Sequence, residues 1–87
     1  MTEDKKNPNS VTIISSVQSK MARAATGLGI RELAEISEVS PDTVARLERG
    51  EDVKASTREK IRVALERRGL QFIEKNGGGP GVRLKRN

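Results

Sequence analysis

The sequence predicts a mainly α domain, four short helices followed by a small C-terminal β-hairpin. Three observations carry that expectation. Apolar residues recur at helical spacing between Val17 and Leu65, punctuated by Gly27, Gly29, Gly50 and Gly69. The segment ELAEISEVSPDTVARLERG, Glu32 to Gly50, reads as two short helices joined by a tight turn. Beyond Gly69, apolar residues alternate on either side of a glycine-rich run, the pattern of two short strands. The 87 residues suffice for one domain. With 33% hydrophobic residues and Phe72 the lone aromatic, its core must be small and aliphatic. A core of that size is marginal alone, which makes oligomerisation an expectation.

Residues 1–10 have no apolar period and contain Asn-Pro, so they are expected to form a flexible arm. Val11-Thr12-Ile13-Ile14 is rich in β-branched residues and reads either as a strand or as an apolar lead-in. Ser15 or Ser16 caps the first helix, and Val17, Met21, Ala24, Ala25 and Leu28 mark its expected buried face. Gly27 and Gly29 end that helix. The second helix runs from Ile30 to Ile36 with Leu33, Ala34 and Ile36 inward, and Val39 plugs the following turn. Ser40 is the N-cap of the third helix and Pro41 its first residue, where a missing N–H costs nothing. Val44 and Leu47 face inward, and Gly50 is a natural residue just past the helix end.

Glu51 to Ala55 is a polar loop. Ser56-Thr57-Arg58-Glu59 has capping-box spacing and opens a fourth helix, with Ile61, Ala64 and Leu65 on one face. Residues 11–69 thus form one helical domain, and residues 70–87 a hairpin with a basic tail. The strands are Leu70-Gln71-Phe72-Ile73 and Val82-Arg83-Leu84, joined across Asn76 to Gly81. Leu70, Phe72, Ile73, Val82 and Leu84 are more apolar surface than an isolated hairpin should expose. That surplus, together with Val11 to Ile14, predicts a homodimer. For the tail Val82 to Arg86 a solvated end, a dimer strand and a phosphate contact all remain open.

Composition narrows the function classes. A formal net charge of +5 favours a polyanionic partner. The absence of cysteine and histidine removes thiolate metal sites and the commonest general base. The glycine run lacks the Gly-Lys-Ser/Thr ending of a phosphate-binding loop. No enzyme activity, cofactor or metal is therefore expected. The amino terminus does not resemble a signal peptide and no apolar run can span a membrane, so a cytoplasmic location is expected. A helix can read the major groove if a second element braces it and its first turn faces the base edges. The spacing leaves Pro41, Asp42, Thr43, Ala45, Arg46 and Arg49 on the outer side of the third helix.

Ser16 to Leu65 resembles the Cro/C1-type (XRE) helix-turn-helix family of phage repressors and small bacterial regulators. The resemblance rests on Gly27-Leu28, Glu32-Leu33-Ala34, Val39-Ser40, Thr43-Val44, Arg46-Leu47-Glu48 and Gly50. It implies a four-helix Cro/C1-type helix-turn-helix bundle and a transcriptional regulator, a homodimer on a pseudo-palindromic operator in double-stranded DNA. The helix Pro41–Arg49 would enter the major groove, with Pro41, Asp42, Thr43 and Arg46 at base-reading positions. Arg46 suits the guanine fork, while Asp42 suits either cytosine N4 or the helix macrodipole. Thr43 either reads a thymine methyl or packs against the turn. Ser40, Arg49, Gly50 and Lys54 fall at phosphate-contacting positions, and Arg23 and Glu48 at those of a structural salt bridge. RNA polymerase or another protein is an implied further partner. An alternative from a different class is an antitoxin-like module that neutralises a partner protein and binds its own promoter.

Two departures stand out. Gly29 and Ile30 replace the family's usual cap and glutamine, which leaves Arg31 to supply that phosphate contact. Glu38 replaces the usual glycine of the interhelical turn, at a cost of about 1 kcal/mol, and predicts a slightly rearranged turn.

Overall fold

The computed structural model describes residues 13–73 and 79–85. Its first helix, α1 (Ser16–Thr26), is set by Ser15, whose hydroxyl accepts from the Gln18 N–H at 3.1 Å. Gln18 Oε1 accepts from the Ser15 N–H in return, also at 3.1 Å, completing a capping box. Gly27 closes the helix at φ 78°, a left-handed position that suits glycine. Helix α2 (Ile30–Ser37) starts at Gly29, which has no side chain to cap with. Glu32 supplies half of the missing box by accepting from the Gly29 N–H at 2.6 Å.

Helix α3 (Pro41–Glu48) starts where local chemistry demands, with the Ser40 hydroxyl accepting from the Thr43 N–H at 3.1 Å. It ends in a Schellman turn: the Gly50 N–H donates to Leu47 O and the Glu51 N–H to Arg46 O, both at 3.0 Å. Gly50 takes φ 85° there. Helix α4 (Ala55–Arg67) leads through Gly69 into strands β1 (Leu70–Ile73) and β2 (Gly81–Leu84). The strands pair antiparallel with Leu70 opposite Leu84 and Phe72 opposite Val82. The fold is thus a small, mostly helical domain of four helices and a two-stranded antiparallel sheet.

The core joins both parts of the chain. Ile14, Ala22, Leu33, Ala34, Val44, Leu47, Ile61, Leu65, Leu70 and Phe72 form one buried cluster. Leu28, Ile30, Ile36, Val39, Val53 and Val82 pack around its margin. Among the described residues no helix is long and apolar enough to cross a membrane.

Four expectations need correction. On α1, Val17 is 54% exposed and Ala24 and Ala25 are exposed, while Gln18, Ser19 and Ala22 face inward. The helix is turned because its inward polar groups find partners. The Gln18 amide donates to Ile73 O at 3.3 Å and Gly81 O at 3.0 Å, and Ser19 donates to Glu48 Oε2 at 2.6 Å. A satisfied buried polar group costs little, so apolar spacing alone does not decide the face.

The Ser56 capping box does not form. Helix α4 begins two residues earlier than that box would place it, at Ala55 with Lys54 as its cap. The Lys54 carbonyl accepts from Thr57 and Arg58 at 3.0 Å, and Arg62 takes the Glu59 carboxylate. Leu70 and Phe72 are buried in the core, so they are not available as a dimer surface. Of that set Ile73 and Val82 are half-buried and Leu84 is exposed. The turn at Glu38 is not rearranged either: Glu38 adopts the left-handed conformation itself, at φ 60° and ψ 42°. Ile13 and Ile14 are a lead-in and not a strand, and only Ile14 is buried. The expected arm at residues 1–10, with Val11, Thr12, the first half of the glycine run (Asn76 to Gly78) and Arg86, lies outside the described residues.

Candidate nucleic-acid interface

Helix α3 has two chemically different sides. Inward lie Val44, Leu47 and Glu48. Arg23 of α1 meets Glu48 with a planar two-pronged contact, Nη2 to Oε1 at 2.7 Å and Nε to Oε2 at 2.9 Å. The Ser19 hydroxyl donates to the same Oε2. The Glu48 side chain is only 6% exposed. Burial pushes its pKa up, but hydrogen bonds from Arg23 and Ser19 and the charges of Arg23 and Lys20 outweigh that and hold the carboxyl below its ordinary range. The same hydrogen bond raises the Arg23 pKa. This pair locks α1 to α3 and so fixes how α3 is presented.

Outward lie Pro41, Asp42, Arg46, Arg49 and Gly50, all exposed, and Thr43, half-buried. At the amino-terminal end the Thr43 hydroxyl is 2.8 Å from that of Ser40, so the cap occupies it. Only the Thr43 methyl remains for an apolar contact. Asp42 stands in the first turn, where a carboxylate complements the helix macrodipole.

At the carboxy-terminal end three charged side chains converge. Arg49 Nε donates to Glu51 Oε2 at 2.8 Å, and Arg46 Nε lies 3.5 Å from Glu51 Oε1. Arg46 Nη2 also donates to Asp52 O at 3.3 Å. The Arg49 hydrogen bond holds the Glu51 carboxyl below its usual range and raises the Arg49 pKa. All three side chains are roughly half exposed, so salt screens these pairs.

The fold therefore brings Arg46, Arg49 and Gly50 together, and Pro41, Asp42, Thr43 and Ser40 one helix length away. Lys54, exposed at the start of α4, follows two residues after the carbonyl that receives Arg46. Arg31 is exposed on the first turn of α2, and no hydrogen bond among the described residues links its side chain to α3.

Gln18, Ser19 and Glu51 are the structural participants that spacing did not single out. Gln18 had a readable signal, since Ser15 and Gln18 have capping-box spacing. Ser19 precedes Arg23 by one helical turn and so shares its face. Glu51 had none, because its reach depends on the chain reversal at Gly50. No protein-family profile and no curated protein sequence matches the chain.

Proposed function

We propose that the chain is a sequence-specific DNA-binding transcriptional regulator of the Cro/C1 type, which inserts α3 into the major groove of double-stranded DNA. The observation that carries this reading is the two-sidedness of α3. One side is locked by Val44, Leu47 and the Arg23–Glu48 pair, and the other presents Asp42, Arg46 and Arg49 to solvent beside half-buried Thr43. A braced helix with a solvent-facing row of fork donors and a capped first turn is what base reading requires. In this reading Arg46 takes a guanine edge and Arg49, Lys54 and the backbone at Gly50 take phosphates. Asp42 and Pro41 sit against neighbouring bases, Ser40 and Arg31 against the flanking backbone.

The working form is a homodimer in the cytoplasm. With Leu70 and Phe72 committed to the core, its interface draws on exposed Leu84 with half-buried Ile73 and Val82. Exposed Ile13 and Val17 are the other large apolar side chains at the surface among the described residues. Selection of bound sequences from a random duplex pool tests both halves of the proposal. A palindrome with half-sites about one helical turn apart is the expected result. Recovery of unenriched sequence would overturn DNA reading, and a single unrepeated half-site would overturn the dimer.

A further inference from the structure

Gly50 reverses the chain so that Glu51 folds back over the last turn of α3, with its N–H on Arg46 O at 3.0 Å. The Glu51 carboxylate thereby comes to rest between the two arginines that DNA reading would use. It accepts from Arg49 Nε at 2.8 Å, and its second oxygen is 3.5 Å from Arg46 Nε. Asp52 O takes Arg46 Nη2 from the same side, at 3.3 Å.

A guanidinium is a planar fork with two usable edges. Along its Nε–Nη2 edge Arg46 donates to Asp52 O through Nη2, and its Nε stands at ion-pair distance from Glu51. No hydrogen bond among the described residues engages its Nη1, which leaves the Nη1–Nη2 end edge open to an incoming pair of acceptors. The arrangement also counters positive charge. Among the Arg46, Arg49 and Glu51 side chains, two cations and one carboxylate leave a net single positive charge for phosphates to attract.

We infer that Glu51 is a specificity-determining residue of this surface: it positions Arg46 for a base edge and weakens indiscriminate attraction to phosphate. The inference rests on the DNA-reading proposal above. Binding to random DNA is governed by charge alone, so Glu51 opposes it fully. Binding to the right site also needs Arg46 in one geometry, which Glu51 and Asp52 supply in advance. Both effects widen the gap between the right site and any other.

The test compares the full chain with Glu51→Gln and Glu51→Asp on the selected duplex and on a scrambled one, across a salt series. Glu51→Gln should bind the scrambled duplex up to about fivefold more tightly, the ceiling for losing one exposed charge interaction. Its salt slope should steepen by about one, and its affinity for the selected site should rise less. The ratio of the two affinities therefore falls. Glu51→Asp keeps the charge at shorter reach, so scrambled-duplex affinity stays at wild type while the ratio still drops. The unfolding midpoint of neither variant should move. An unchanged or wider ratio in Glu51→Gln would remove the role of Glu51 alone. A wild-type chain that prefers no sequence would remove the DNA reading and this inference with it.

Discussion

Helix α3 carries an arginine–glutamate cluster on each side, built from the same two side-chain types and opposite in consequence. The inner one joins Arg23, Glu48 and Ser19, with side-chain exposures of 26% for the arginine and 6% for the glutamate. The outer one joins Glu51 to Arg46 and Arg49, with exposures of 45–56%. Burial decides what each can do. Glu48 has lost its water, so its charge is tolerable only while Arg23 and Ser19 supply the missing hydrogen bonds. Glu51 keeps its water, so losing its arginines costs little stability, and the pairing leaves the outer edge of Arg46 open. One cluster makes the scaffold and the other stays available.

The comparison breaks most visibly at Arg23. Arg23→Ala should lower stability by about 3 kcal/mol, because it leaves a buried carboxylate with one hydroxyl donor. Urea unfolding followed by circular dichroism would report a lower midpoint at an unchanged slope. The same measurement on Glu51→Gln should report no shift; equal losses from both would dissolve the distinction. Acid adds a second check. The folded-state pKa of Glu48 is depressed, so its contribution is fully present above the ordinary value of 4.5 and disappears as pH falls through the lower folded value. Without Arg23, burial is the largest remaining influence and works to raise the Glu48 pKa. Acidification should then no longer remove this contribution, and the acid limb should be shallower. An acid limb of the same shape in both proteins would place the stabilisation elsewhere.

Arg46 tests the outer side. Arg46→Ala should weaken the selected site by about 1–3 kcal/mol and relax preference at one base pair, with an unfolding midpoint near wild type. Equal weakening on scrambled DNA would reduce Arg46 to a generic cation. Lys54→Ala gives the contrasting pattern: all sequences weakened alike and a salt slope shallower by about one.

What is legible in the sequence divides along the same line, between local and distant causes. Ser40 ahead of Pro41, and Gly50 after Glu48, announce their helix ends because each acts on its own backbone neighbours. Leu33, Val44, Leu47, Ile61 and Leu65 are inward where spacing puts them, since aliphatic side chains need only a common interior. The face of α1 was not legible. It is chosen by partners 29, 55 and 63 positions away, which make Gln18 and Ser19 better interior residues than Val17. Likewise Leu70 and Phe72 look like spare apolar surface until the other helices are packed against them. At the start of α4, Arg58 donates to Val53 O at 3.2 Å and, across 44 positions, to Ile14 O at 3.3 Å, a tertiary tie that the local capping signal does not contain. At the candidate site, the positions of Arg46 and Arg49 followed from helical spacing. Their shared carboxylate did not, because only the reversal at Gly50 brings Glu51 back.

The smallest expected effect lies in the turn before α3 and touches neither cluster. Glu38 holds a left-handed conformation that an L side chain occupies at a cost of about 1–2 kcal/mol, and glycine occupies without it. Glycine in turn gives the unfolded chain more freedom, worth about 0.5–1 kcal/mol. Glu38→Gly should therefore stabilise the protein by a net amount of about 0.5 kcal/mol. Because the Arg23–Glu48 pair is intact, the acid limb of stability should keep its shape and simply move up. Because Arg46 and Glu51 are intact, the ratio of affinities for selected and scrambled DNA should stay at wild type. A gain in stability with a changed ratio would mean that the turn sets the pitch of α3 on its target. The rigid inner cluster would then not be the sole determinant of how the outer one is presented.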